Sequence, residues 1–187
     1  MALKRLTIDG YGQVELNNVA FRRDGRVEAQ CKLKKDEFSK TNPAENGMIL
    51  AVNKIKNIIG SPIGMGDIYP VALNYSAEHL CDERNTGLKN FYLTPDSYLP
   101  RVGYLSVGDT FTTNCVCYDD VEFESEEALK TALENVETSV FGVVDNSGVI
   151  KLTKTKPETI PHGLLMMAKS STMPDGQYGV HFHVVAV

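Results

Sequence analysis

Two histidines separated by one residue, His181-Phe182-His183, are the sharpest chemical feature of this 187-residue chain. Alternate residues of a strand point the same way, so both imidazoles could meet one metal ion. Metal sites need three or four ligands, and a third would have to come from His162, His79 or a distant carboxylate. Two histidines on a strand face, with no metal, is therefore the expected reading. Cys115 and Cys117 also alternate. Thiols at that spacing splay too far apart for an easy disulfide, and without a second Cys/His pair at zinc spacing they read as small apolar packing residues. Asp119, Asp120, Glu122 and Glu124 could pair for acid/base work, but their pattern suits a solvated loop. The glycines of residues 60–66 lack the Lys-Ser/Thr of a phosphate loop, and Ser61 and Ser106 have no neighbouring base or nucleophile elbow. No catalytic, cofactor-binding or metal-ligating residue is expected, and the chain reads as a non-enzyme.

The elements that carry these residues are mainly strands. Short runs rich in β-branched and aromatic residues, broken by Gly, Pro, Asn and Asp, predict an antiparallel β-sandwich or barrel-like domain. Strands are expected over 3–8, 13–21 and 27–33, the last two joined as a hairpin through Arg23-Asp24-Gly25-Arg26. Further strands are expected over 48–52, 68–75, 102–105, 110–118, 139–144, 149–153, 163–168 and 178–187. Residues 60–67 read as a mobile loop, and residues 76–93 as a long ordered connection with two helical turns possible over 77–84. One amphipathic helix is predicted over 125–137. Ser125 is its N-cap, Glu126 and Glu127 favour the positive end of its dipole, and Ala128, Leu129, Ala132, Leu133 and Val136 form its apolar stripe. The charged stretch ending at Asn42-Pro43 suggests an N-terminal arm and hairpin over 1–40 and a main β domain over 41–187, or a single domain over 1–187.

Composition narrows the function classes. The chain has 19 basic and 24 acidic residues with mixed signs, so no broad cationic surface for nucleic acid is expected. The four cysteines, Cys31, Cys81, Cys115 and Cys117, have no Cys-x-x-Cys spacing and follow no secretory signal, which suggests synthesis in a reducing cytoplasm. No apolar run approaches the roughly 20 residues of a membrane span, so no membrane partner is expected. Ile63 and Met65 among the loop glycines look like groups that a neighbouring subunit would cover.

Three segments carry a family resemblance: residues 42–50 (NPAENGMIL), 87–91 (GLKNF) and 100–114 (PRVGYLSVGDTFTTN). Together they resemble proteins of tailed bacteriophages that accompany the major capsid protein. The resemblance implies a virion structural protein of the decoration, cement or fibre-base kind, made in the host cytoplasm and present in many copies or as a homo-oligomer. Its partners would be the major capsid protein lattice and other head proteins, and residues 1–10 and 60–66 are where contact is expected. Two other readings stand beside it. His181-Phe182-His183 is similar to the His-x-His of cupin metal sites, which implies a metal-dependent enzyme if further ligands exist. Tyr92, Tyr98 and Tyr104 could form the aromatic platform of a carbohydrate- or host-surface-binding module.

Overall fold

The computed structural model describes residues 3–66, 68–76 and 87–187. Its strands form two mixed sheets. The first contains β1 (Leu3–Arg5), β8 (Thr110–Thr113), β9 (Val116–Asp119), β10 (Val140–Val144), β11 (Ile150–Thr153), β12 (Leu165–Thr172) and β13 (Tyr178–Ala186), in the order β1-β9-β11-β10-β12-β13-β8. The second contains β2 (Val27–Glu28), β3 (Lys32–Leu33), β4 (Ile49–Asn53), β5 (Ile58–Gly60), β6 (Val71–Asn74) and β7 (Val102–Gly103), in the order β2-β7-β6-β4-β5-β3. Most pairs are antiparallel, but β9 with β11 and β3 with β5 run parallel. The mainly β, sandwich-like reading is thus what the chain adopts, with mixed rather than purely antiparallel sheets.

Chain length forces the first sheet to roll. Only Asn114 and Cys115 separate β8 from β9, yet four strands lie between them in the sheet. In a flat sheet five spacings would cover about 24 Å, whereas three peptide units reach about 11 Å at most. The sheet therefore curls until its ends approach. The Val14–Thr113 bridge sits beside the free side of β8. The roll is not a closed barrel.

Two cores result, and β9 divides them. Val116 and Tyr118 enter the first core with Phe111, Phe182, Leu152 and Ile150, while Cys115 and Cys117 enter the second with Leu50, Val52, Ile59 and Val102. A strand buried on both faces reads as a nearly continuous apolar run, polar only at the final Asp119, and β4 is alike, with Ile49 in the first core, Leu50 in the second and Asn53 at its end. The Phe111 and Phe182 rings stack at 5.2 Å between centroids inside the roll.

Several expected elements take another form. Residues 13–21 are not a strand of a hairpin. Val14 makes a single bridge, Leu16–Asn18 is a 3-10 turn capped by the Glu15 side chain, and α1 (Ala20–Asp24) follows. The Asp24-Gly25 signal is a helix C-cap, with Gly25 left-handed at φ 71°, and β2 pairs with β7 instead of with its neighbour. β1, β2 and β3 pair with β9, β7 and β5, so the first 40 residues are stitched into both sheets. The strand expected over 110–118 breaks at Asn114, whose side chain accepts the Gln13 N–H at 2.7 Å. The helix expected over 125–137 is α3 (Glu126–Glu134), with Ser125 Oγ accepting the Ala128 N–H at 3.1 Å. It stops because Asn135 accepts the Glu137 N–H and turns the chain outward, leaving Val136, expected on the buried stripe, 99% exposed. The helical turns considered over 77–84 lie outside the described residues.

The glycine-rich loop also has structure. Ser61 caps α2 (Pro62–Met65), with Pro62 in the first turn where no N–H is needed. Glu37 accepts the Ser61 N–H at 2.6 Å and pairs with Lys34, which also donates to the Gly64 carbonyl at 2.9 Å. A Cβ at Gly64 would lie 1.8 Å from Glu37 Oε1. The glycines therefore make room for the half-buried Glu37 carboxylate, which holds the loop in place.

Candidate functional site

The histidine pair lies on the floor of a groove of about 340 Å³ on the outer face of the rolled sheet. Phe182 turns into the core, so His181 and His183 face outward together, as their alternation requires. On β12, Lys169 stands opposite His181 and Met167 opposite His183, and on β8, Thr112 and Thr110 complete the two rows. The end of α3 forms a wall through Leu133, Asn135 and Val136, and Thr138 and Ser139 add hydroxyls. Thr112 Oγ1 lies 3.0 Å from His181 Nδ1. Partial burial, and then the neighbouring charges of Lys169 and His183, hold His181 below its ordinary value, so its imidazole is readily neutral.

The cupin-type ligand set is not assembled among the described residues. His162 sits in the 3-10 turn Pro161–Gly163 and does not line the groove, and no three His, Cys, Asp or Glu side chains converge there or elsewhere among those residues. His79 lies outside them. No family model, curated protein or solved structure matches the chain. The case for function therefore rests on geometry and on the three resembling segments.

The other candidates are absorbed by the scaffold. Cys115 and Cys117 are free and buried, as is Cys31, and Cys81 is outside the described residues. Burial pushes the Cys115 and Cys117 thiols up to about 12, so neither is a nucleophile at neutral pH. The acidic cluster braces turns. Asp119 accepts the Val121 N–H at 2.8 Å and faces Lys151, Asp120 pairs with Lys4 at 3.6 Å, and Glu122 accepts the Lys154 N–H at 2.7 Å. The three tyrosines do not share a platform. Tyr92 packs on Tyr11, Tyr98 stacks near Phe91, and Tyr104 lies beneath Lys54 with its hydroxyl buried. No helix among the described residues is long and apolar enough to cross a membrane.

Arg26 is a structural centre that sequence reading missed. Its guanidinium donates to both oxygens of Asp109 at 2.8 and 3.0 Å, to Asp24 at 2.9 Å, and to the Tyr104 carbonyl and Ser106 Oγ at 2.7 Å each. Ser106 is thus a hydrogen-bond partner of a structural cation, and the carboxylate beside it, Asp109, is engaged by Arg26 and by the Ser106 N–H. Burial pushes the Asp109 carboxyl up, but the hydrogen bonds from Arg26 and from the Ser106 N–H outweigh it and hold the group below the ordinary carboxylate range. A carboxyl depressed in the fold stabilises fully above its unfolded value of about 4, and that stability disappears as pH falls through the folded value. Glu37 and Asp175 are depressed in the same direction. The melting temperature should therefore fall from pH 5 to pH 3. Arg26→Met should be less stable at pH 7 and lose less on acidification; an unchanged acid slope in a folded variant would contradict the role given to this pair.

Proposed function

We propose that this chain is an auxiliary structural protein of a tailed-phage head, bound in many copies to the lattice of the major capsid protein. The observation that carries the reading is the convergence of the resembling segments. Gly47 N–H donates to the Asn74 carbonyl at 2.8 Å, Gly47 abuts Thr113 and Cys115, Ala44 bridges Leu93 just beyond Phe91, and Gly103 pairs with Leu73. Residues 42–50 and 100–114 thus meet at Gly47, between the two sheets, and Phe91 of the remaining segment shares the second core with Met48, Leu50 and Val102. What resembles head proteins is the part that sets the relation of one sheet to the other.

The charged groups favour the same reading. Arg5 with Glu45, Arg26 with Asp109, Lys34 with Glu37 and Lys151 with Asp119 brace the scaffold internally. A rigid module repeated over a symmetric shell can stabilise it by mass action, because each bound copy favours the assembled lattice over the free subunits. The N-terminal segment serves the fold as well, since β1 pairs with β9 and Arg5 grips Glu45, so deleting residues 1–10 would test folding rather than docking. The braced α2 turn is the better contact, because it holds Ile63, 63% exposed, in a fixed position. Ile63→Asp should leave the melting temperature within about 2 °C, as exposed substitutions do, and weaken affinity for shells at least tenfold, about 1.4 kcal/mol. Full occupancy by the folded variant would remove α2 as the contact.

A further inference from the structure

We propose that His181, His183 and Met167 form a surface copper site, two imidazoles and one thioether set on adjacent strands of the groove floor. The inference does not rest on the capsid reading. His181 and His183 are two residues apart on β13, so their Cβ atoms lie about 7 Å apart on one face. Met167 is the direct antiparallel partner of His183, which places those two Cβ atoms about 5 Å apart. All three line the same groove. Met167 is 44% exposed whereas the adjacent Met166 is fully buried, so the thioether is available on the outer face while its neighbour serves the core.

The donor set selects the metal class. Thioether and imidazole donors suit copper, Cu(I) above all, and offer nothing to magnesium or calcium, which require oxygen. Thr112 supplies the supporting contact that metal-bound histidines have: with Nδ1–H donating to Thr112 Oγ1, the Nε2 lone pair of His181 is free for the ion. Lys169 opposes the site, since it is the cross-strand partner of His181 and its charge acts on that ring, but it is exposed on a flexible stem and screened by solvent. The open side of the groove leaves room for water or a further ligand to complete the coordination.

The test is anaerobic competition of the purified full chain with bathocuproine disulfonate for Cu(I), alongside a direct Zn(II) titration. One Cu(I) per chain is expected. His181→Ala and His183→Ala should each weaken binding at least tenfold, Met167→Leu should weaken Cu(I) about tenfold while leaving Zn(II) unchanged, and Thr112→Val should weaken Cu(I) by about 10–100-fold. All three ligand side chains face away from the core, so circular dichroism should show the ligand variants folded. Failure of the wild type to compete for Cu(I), or equal binding by the folded double variant His181→Ala/His183→Ala, which would place the ion on a thiol, overturns the site. Unchanged Cu(I) affinity in Met167→Leu overturns the copper assignment.

Discussion

Gly47→Ala should destabilise the protein by about 2–5 kcal/mol, or leave none of it folded. Gly47 has φ +89°, and an added Cβ would fall 2.0 Å from Thr113 Oγ1 and 2.7 Å from Cys115 Cβ. The left-handed backbone costs an alanine about 1 kcal/mol or more. The clash adds about 1–3 kcal/mol, because the atoms it meets belong to the buried β8–β9 junction and cannot move aside. Gly25 separates the two effects. It is also left-handed, at φ +71°, but has nothing within 4 Å of an added Cβ. Gly25→Ala should cost only about 1 kcal/mol. Urea denaturation of both variants decides the matter, and equal losses would show that the Gly47 contact with β8 and β9 is unimportant.

Phe182→Ala should cost about 3–5 kcal/mol, the range for removing a buried aromatic ring. Phe182 is fully buried, stacks on Phe111, and lies so close over Gly142 that a Cβ there would come within 2.7 Å of its ring. Three strands of the rolled sheet, β8, β10 and β13, thus depend on one side chain. A double-mutant cycle with Phe111→Ala should give a coupling of about 0.5–1.5 kcal/mol. Strict additivity in thermal or urea denaturation would show that the rings do not act as a pair.

Much of the β architecture was legible because its signals are local. The strands in the last third alternate cleanly and are separated by Asp145-Asn146-Ser147-Gly148 and Pro174-Asp175-Gly176, and Ser125 with two following glutamates marks the start of α3. The N-terminal third misled because its signals have two meanings. Asp24-Gly25 ends a helix as well as it turns a hairpin, and a five-residue helix such as α1 is too short for periodicity to reveal. The break at Asn114 carries no glycine or proline, since the interruption is made by a side chain bonding to Gln13, 101 positions away.

The groove was half legible for the same reason. Alternation along one strand shows that His181 and His183 face the same way, whereas Met167 and Lys169 join them only through β12–β13 register. Arg26 and Asp109 are 83 residues apart, and nothing in either neighbourhood announces their pairing. Cross-strand and long-range contacts are properties of the assembled sheets, and the roll of the first sheet is the largest of them.

The most direct measurement of the capsid reading is a binding isotherm of the purified chain on shells assembled from the major capsid protein encoded in the same genome, read by cosedimentation. The expected result is saturable binding at a fixed number of copies per capsomer, with the unassembled capsid subunit binding far more weakly. Absence of saturable binding to intact shells, by a protein shown to be folded, would contradict it.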